Sequence, residues 1–288
     1  PHARTPSYVL ARGVEQYSEG PHVHHPLDQM YSSRNMRPSP FHDREKALGA
    51  VFFESAGWEI PQWYEANRSL LDTYQEPWRD RKGWAARNWS PIVGAEHRAA
   101  RDAAAIFDVT AITKFEVEGH GALAYLQHLA ANQMDQPIGR VTYTSVLDER
   151  GGIMCDLTVT RLAADRFIVM TSTSYGYRDL KWFRDHALKD DSVSIKDVSN
   201  DLGCLCLWGP RARDIVAAAS DDDYSNDAFP YRGARHVTIG GVPVLAIRLS
   251  YVGELGWELY VSNEHGAALW EALWEAGQPH GLIAAGSG

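Results

Sequence analysis

Two short segments, residues 151–159 and 250–260, constrain this chain more than any other feature. Each joins a glycine turn to a short apolar strand, and each sets a carboxylate, Asp156 or Glu258, inside that strand. Asp and Glu are rarely buried unless they are paired or liganded. Two apolar strands that both carry acids therefore predict a pocket for something polar or cationic.

The turns add detail. Tyr143 lies on the strand preceding Asp156, and a hairpin through Gly151 and Gly152 sets the two strands side by side. A tyrosine beside an aspartate suits a flat heteroaromatic ligand, because the ring packs while the acid bonds. A structural reading of Asp156 is also open, as a strand-end carboxylate bonded to backbone amides. Tyr251 and Glu258 flank a turn with Gly253 and Gly256, where glycine permits close backbone approach to a ligand. A carboxylate at Glu258 can accept two parallel N–H bonds from a guanidinium-like edge. Glu254 reads mainly as a solvated turn residue.

Bulk properties exclude several classes. The chain has 288 residues and a formal charge of −9, with no block of Lys or Arg, which argues against a nucleic-acid binder. No apolar run approaches the roughly 18–20 residues that span a bilayer. Residues 1–4 have no signal-peptide core and no starting Met, so the chain reads as processed, trimmed or a fragment. Cys155, Cys204 and Cys206 predict reduced core thiols of an intracellular protein, in the cytoplasm or, in a eukaryote, the mitochondrial matrix. His22, His24 and His25 lack the spaced partners of a zinc site, so no metal is expected. No dinucleotide fingerprint or phosphate-binding P-loop appears.

The pattern divides the chain at about residue 90. Residues 1–90 are rich in aromatics, Pro and Arg, and predict a loop-rich subdomain packed on something else. Trp58, Trp63, Tyr64, Tyr74, Trp78, Trp84 and Trp89 crowd together there, and a helix over 44–53, with Asp43 as a possible cap, is the one periodic stretch. From 91 to 288 the signals alternate. Helices are predicted over 94–105, 119–129, 177–187, 209–216 (opened by Pro210) and 265–276, and strands over 113–118, 141–147, 154–161, 166–170, 202–208, 236–239, 244–250 and 256–261. This predicts an α+β domain with antiparallel strands.

Taken together, these residues resemble the folate-binding aminomethyltransferase fold, the T-protein of the glycine cleavage system. More closely, they resemble the C-terminal half of dimethylglycine and sarcosine dehydrogenases. The resemblance rests on Ile106-Phe107-Asp108-Val109-Thr110, Gly139-Arg140-Val141-Thr142-Tyr143, residues 151–159, Leu207-Trp208-Gly209-Pro210-Arg211-Ala212 and residues 251–260, in the family's order and spacing. Residues 39–54 and 56–59 resemble the linking domain that joins the FAD part of those dehydrogenases to the folate part. The position of the family's asparagine-aspartate pair reads Asn132-Gln133 here.

The resemblance implies a linking subdomain at 1–90 and a folate-binding domain at 91–288 that is incomplete at its C-terminus. It implies tetrahydrofolate as the ligand, and FAD in a larger parent enzyme rather than in this chain. The parent would oxidise an N-methyl amine to an iminium, and the folate domain would capture the carbon as 5,10-methylene-tetrahydrofolate. Carried over residue by residue, Asp156 would be catalytic, orienting folate and stabilising positive charge, while Tyr143 and Tyr251 would shape the pterin pocket and Glu258 would bond the pterin's amino edge. The implied partners are the iminium, the flavin domain and a C-terminal continuation. Two further readings are a flavin-independent folate demethylase or aminomethyltransferase, and a non-catalytic folate-fold protein.

Overall fold

The computed structural model describes residues 5–74, 81–187 and 190–288. The N-terminal tetrapeptide and Trp78 therefore lie outside the described residues.

The first part is more regular than its sequence suggests. A helix α1 covers Pro6–Glu19, with Thr5 before it and Pro6 in its first turn, where the missing N–H is harmless. Its periodicity is weak because only Arg12 on it is buried, so no apolar stripe marks it. The predicted helix over 44–53 is corrected: α2 spans only His42–Ala47, and Asp43 lies in its first turn rather than capping it. Gly49 then takes a φ of 70°, which closes the helix and turns the chain. The β-branched and aromatic residues that follow form strand β1 (Ala50–Ser55), which pairs antiparallel with β2 (Trp58–Tyr64). Trp58, Trp63 and Tyr64 are buried as expected, whereas Trp84 is exposed. A short helix α3 (Leu70–Thr73) follows.

Helix α4 spans Ile92–Asp102, and the chain then turns directly into strand β3 (Ala104–Asp108). The predicted helix over 94–105 thus ends early. The alanines at 103–105 look helical in sequence, but Ala104 and Ala105 are strand residues with no accessible surface.

The remainder forms two sheets. Strands β4 (Thr113–Glu118), β5 (Val141–Leu147), β6 (Ile153–Arg161), β7 (Arg166–Thr171) and β8 (Ser194–Asp197) make the first, in the order β5-β6-β7-β4-β8. Helices α5 (Ala122–Leu129) and α6 (Gly176–Asp185) pack on one face of it, where Tyr125, Leu126, Leu180 and Phe183 meet Phe115, Leu157 and Val159. The second sheet joins β3 to β9 (Leu202–Trp208), β10 (Ala234–Ile239), β11 (Val242–Ile247), β12 (Gly256–Ser262) and β13 (Leu282–Ala284), in the order β10-β11-β12-β9-β3-β13. Only β13 pairs in parallel, with β3. Helices α7 (Ala212–Ala218) and α8 (Gly266–Gly277) cover one face of this sheet. Pro210 sits in the turn before α7 rather than at its first position, and β11 stops at Ile247 instead of reaching 250.

The uncovered faces of the two sheets meet. Val141, Ile168 and Met170 from the first pack with Cys204, Cys206, Trp208, Leu245 and Tyr260 from the second. Side chains alternate along a strand. On β12, Trp257, Leu259 and Val261 therefore point to the helices, while Glu258 and Tyr260 point between the sheets. Burying each of the larger apolar side chains contributes about 1.5–3 kcal/mol, which fixes this register: a slip of one residue would send Glu258 into the helical core. Glu96 on α4 ties the parts together. It accepts hydrogen bonds from Tyr64 N (2.7 Å), Asn67 Nδ2 (2.7 Å) and Gly286 N (2.9 Å).

Candidate functional site

Between the sheets lies a cavity of about 1520 Å³. Tyr143, Asp156, Tyr251 and Glu258 all line it. The four residues proposed from sequence therefore converge on one space, arriving on two strands of one sheet, a strand of the other, and a loop.

The first wall is the β5–β6 hairpin. Gly151, with φ 80°, occupies its turn. The register sets Tyr143 opposite Thr158 and Ser145 opposite Asp156, so Tyr143 and Asp156 are diagonal neighbours on the cavity face. The Tyr143 hydroxyl donates to Asp156 Oδ2 at 2.5 Å. That bond, and then the negative charge beside it, raise the pKa of the phenol. Asn132 backs this wall, its Nδ2 donating to the Tyr143 carbonyl at 2.7 Å.

One expectation needs correction here. Asp156 is not in an apolar pocket but is exposed, and Tyr143 is 52% exposed. The apolar flanking residues Cys155 and Leu157 are buried on the opposite face of the strand. Cys155, Cys204 and Cys206 are all free and buried.

The opposite wall is dry. Glu258 is only 9% exposed and sits opposite Cys206 on β9 and Ile247 on β11. The Tyr260 hydroxyl donates to its Oε2 at 2.8 Å. Burial pushes the Glu258 carboxyl up to about 6, against the opposing pull of that hydrogen bond. Gly256 is required where this strand begins, since a Cβ there would lie 2.0 Å from the Leu207 carbonyl oxygen.

The loop before β12 forms the rim. The Trp208 indole donates to the Leu249 carbonyl at 3.0 Å, holding one end. Glu254 pairs with Arg101 of α4 at 3.2 Å, holding the other. Tyr251 stands between them and is 92% exposed. Ser250 Oγ, also on the cavity lining, is buried without a hydrogen-bond partner.

Several lining residues were not singled out from sequence, notably Tyr260, Phe107, Thr158 and Tyr231. The signal for two of them was present. Tyr260 and Thr158 lie two positions from Glu258 and Asp156, and residues i and i+2 share a strand face. The histidine segment lies elsewhere: His22 bonds Glu19 at 3.2 Å, and His25 bonds the Trp84 carbonyl at 2.9 Å. Among the described residues no group of three or more His, Cys, Asp or Glu is placed to hold a metal ion.

Two facing sheets with helices on their outer faces and a cavity between them define the fold of the aminomethyltransferase T type. The chain belongs to the family described as the GCVT N-terminal domain, which matches residues 41–288. It is similar to 4-methylaminobutanoate oxidase (formaldehyde-forming) of Paenarthrobacter nicotinovorans, with 35% identity covering 99% of this chain and 34% of that protein. It is similar also to mitochondrial dimethylglycine dehydrogenase of Homo sapiens, with 31% identity covering 96% of this chain and 31% of that protein. The chain thus spans about a third of the length of these curated relatives. Among solved structures, glycine cleavage system aminomethyltransferase T from Bartonella henselae superposes with a TM-score of 0.69 at 23% identity, covering 88% of this chain and 60% of that one. That likeness establishes the fold. Among the described residues no helix is long and apolar enough to cross a membrane.

Proposed function

We propose that this chain is the tetrahydrofolate-binding portion of an N-methyl amine dehydrogenase, and that it captures the carbon of an iminium as 5,10-methylene-tetrahydrofolate. The observation that carries the reading is the pairing of a dry carboxylate, Glu258, with a wet one, Asp156, on opposite walls of one cavity.

The residues present fit the ligand. A pterin has a flat ring and an amino group beside a ring N–H. Glu258 offers a carboxylate to that edge, and N–H donors there would offset the burial that now raises its pKa. Trp208, Tyr260 and Leu249 supply apolar surface nearby. Ser250 Oγ is a buried polar atom still wanting a partner. Tyr143 and Tyr251 are exposed rings at the open side, suited to cover a bound pterin.

When bound, tetrahydrofolate supplies two amine nitrogens that take up the carbon. There two C–N bonds would form in place of the iminium's C=N double bond, and the two protons of those nitrogens would leave with the departing amine. Asp156, in contact with water and bonded to Tyr143, is the group we assign to move a proton and to hold positive charge nearby. In the same reading residues 1–90 are a linking subdomain, residues 91–288 are the folate-binding domain, and FAD belongs to the parent protein. The parent would work in the cytoplasm, or in the mitochondrial matrix if eukaryotic.

Titration with a stable reduced folate, followed by tryptophan fluorescence and confirmed by calorimetry, tests the reading. Saturable binding that weakens in Glu258→Ala is the expected result. Absence of binding by both this chain and a full-length parent would overturn it.

A further inference from the structure

Asp108, in the Ile106–Thr110 segment, has no part in the function proposed above, yet it too lines the cavity. It is 8% exposed, at the end of β3. The Thr110 N–H donates to its Oδ1 at 2.8 Å, and the Ser39 and Thr110 side chains bond it as well. On its buried side it meets Glu45 of α2, a glutamate with no accessible surface. The Tyr64 hydroxyl donates to Glu45 Oε1 at 3.0 Å, while Oε2 receives no donor.

Two buried carboxyls in contact cannot both be ionised without a large electrostatic cost. The surroundings decide which one keeps the proton. Burial raises the Asp108 pKa, but its donors from Ser39 and Thr110 and the ammonium of Lys114 nearby pull the other way. Lys114 is itself fully buried, its Nζ donating to the Thr110 and Ile112 carbonyls at 2.8 and 3.0 Å. Glu45 has only a phenol. Lys114 and Asp108 therefore balance each other as ions, and a neutral Glu45 leaves the cluster without net charge.

We propose that Glu45 is a protonated acid whose O–H donates to Asp108, so that α2 backs a residue of the cavity wall and Glu45 is a positioning residue for the site. The role rests on reading the cavity as a folate site. It gives residues 1–90 a place in that site and not only beside it.

Other charged and titratable groups also act on the cluster, Cys206 of β9 among them. His42 of α2 feels Asp108, and burial lowers its pKa. Cys204 of β9, Arg37 and Asp197 of β8 act on Lys114, whose pKa burial pushes down to about 8. Burial first, and then the charge of Asp108, hold the Glu45 pKa well above the usual carboxylate range.

The test has two arms, both on the whole 288-residue chain. Infrared difference spectra of wild type minus Glu45→Gln at neutral pH should show the carbonyl stretch of one protonated carboxylic acid, and a spectrum without that band overturns the proposal. In the second arm, Glu45→Ala should weaken binding of a reduced folate analogue roughly tenfold, a loss of about 1.4 kcal/mol. Glu45→Gln, which keeps a neutral donor to Asp108, should restore it. A folded Glu45→Ala protein that binds as wild type overturns the positioning role. If Glu45→Ala does not fold, Glu45→Gln decides, since weakened binding there would sink the idea of a neutral donor. Wild-type chain that binds no folate overturns the folate reading and the positioning role with it, while the infrared arm still locates the proton.

Discussion

The two walls of the cavity solve opposite problems. On β12, Glu258 lies in a strand buried along nearly its whole length, with Tyr260 bonded to it from two positions on. On β6, Asp156 stands on a face that solvent reaches, with one phenol as partner. A dry carboxylate raises the energy of the empty protein and lowers it again when N–H donors arrive, so it suits binding. A wet carboxylate that can exchange protons suits chemistry. Variants at each wall should therefore fail differently.

The largest expected effect is on chemistry. Asp156→Ala, made in a full-length parent, should lower transfer of the one-carbon unit to folate by roughly 10²–10⁴-fold, the usual contribution of a general acid–base group. Oxidation of the amine, followed with an artificial electron acceptor, should be unchanged. Equal loss of both activities, or of neither, would erase the contrast between the walls.

Next comes binding. Glu258→Ala should weaken a reduced folate by roughly 10- to 100-fold, as expected when hydrogen bonds to a charged group, worth about 1.5–3 kcal/mol, are lost. Calorimetry on the isolated chain reads this directly. A matching loss in Asp156→Ala would show that both acids are binding groups.

The dry wall also makes a prediction about stability. Burial raises Glu258 from the ordinary 4.5 to about 6. The folded state then holds its proton more tightly than the unfolded state does. Stability falls as pH rises from about 4.5 through about 6, because the unfolded chain gives up the proton first. Above that window the penalty approaches about 2 kcal/mol. Glu258→Gln escapes it, so the ligand-free variant should unfold at higher urea than wild type at pH near 8 and differ little at pH near 4. Equal midpoints at both pH values would mean the wall is wetter than it looks.

Much of this was readable beforehand, and each failure has a physical cause. Most strands from 113 to 261 were legible because they pair with a neighbour close in the chain or show period-two alternation. β13 and β8 were not: one makes a parallel pairing with β3, and the other is a four-residue edge strand. The pairing of Tyr143 with Asp156, and of Tyr251 with Glu258, followed from glycine turns and apolar runs, while the joining of the two pairs in one pocket was implied by the family resemblance. The exposure of Asp156 did not, because its neighbours Cys155 and Leu157 report on the other face of the strand. The informative positions are two residues away. Met154 and Thr158 are only half-buried, whereas Tyr260 beside Glu258 is buried, and that difference separates the walls. Glu45 escaped notice for a different reason, since its partner Asp108 is distant in sequence and only the tertiary fold joins them.

The smallest effect should come from the phenol that links the wet wall to its acid. Tyr143 is half exposed and anchored by one side-chain hydrogen bond, so Tyr143→Phe should leave the urea midpoint unchanged. Loss of the hydroxyl removes the one side-chain donor to Asp156, so the carboxylate keeps its place on β6 but loses the partner that orients it. The rate of one-carbon transfer should fall only a few-fold, far less than in Asp156→Ala. Tyr251→Phe serves as the comparison, because the Tyr251 ring is exposed at the rim. It should alter neither rate nor midpoint, and a loss of rate as large as that of Tyr143→Phe would mean that the Tyr143–Asp156 bond is not what sets the behaviour of the wet wall.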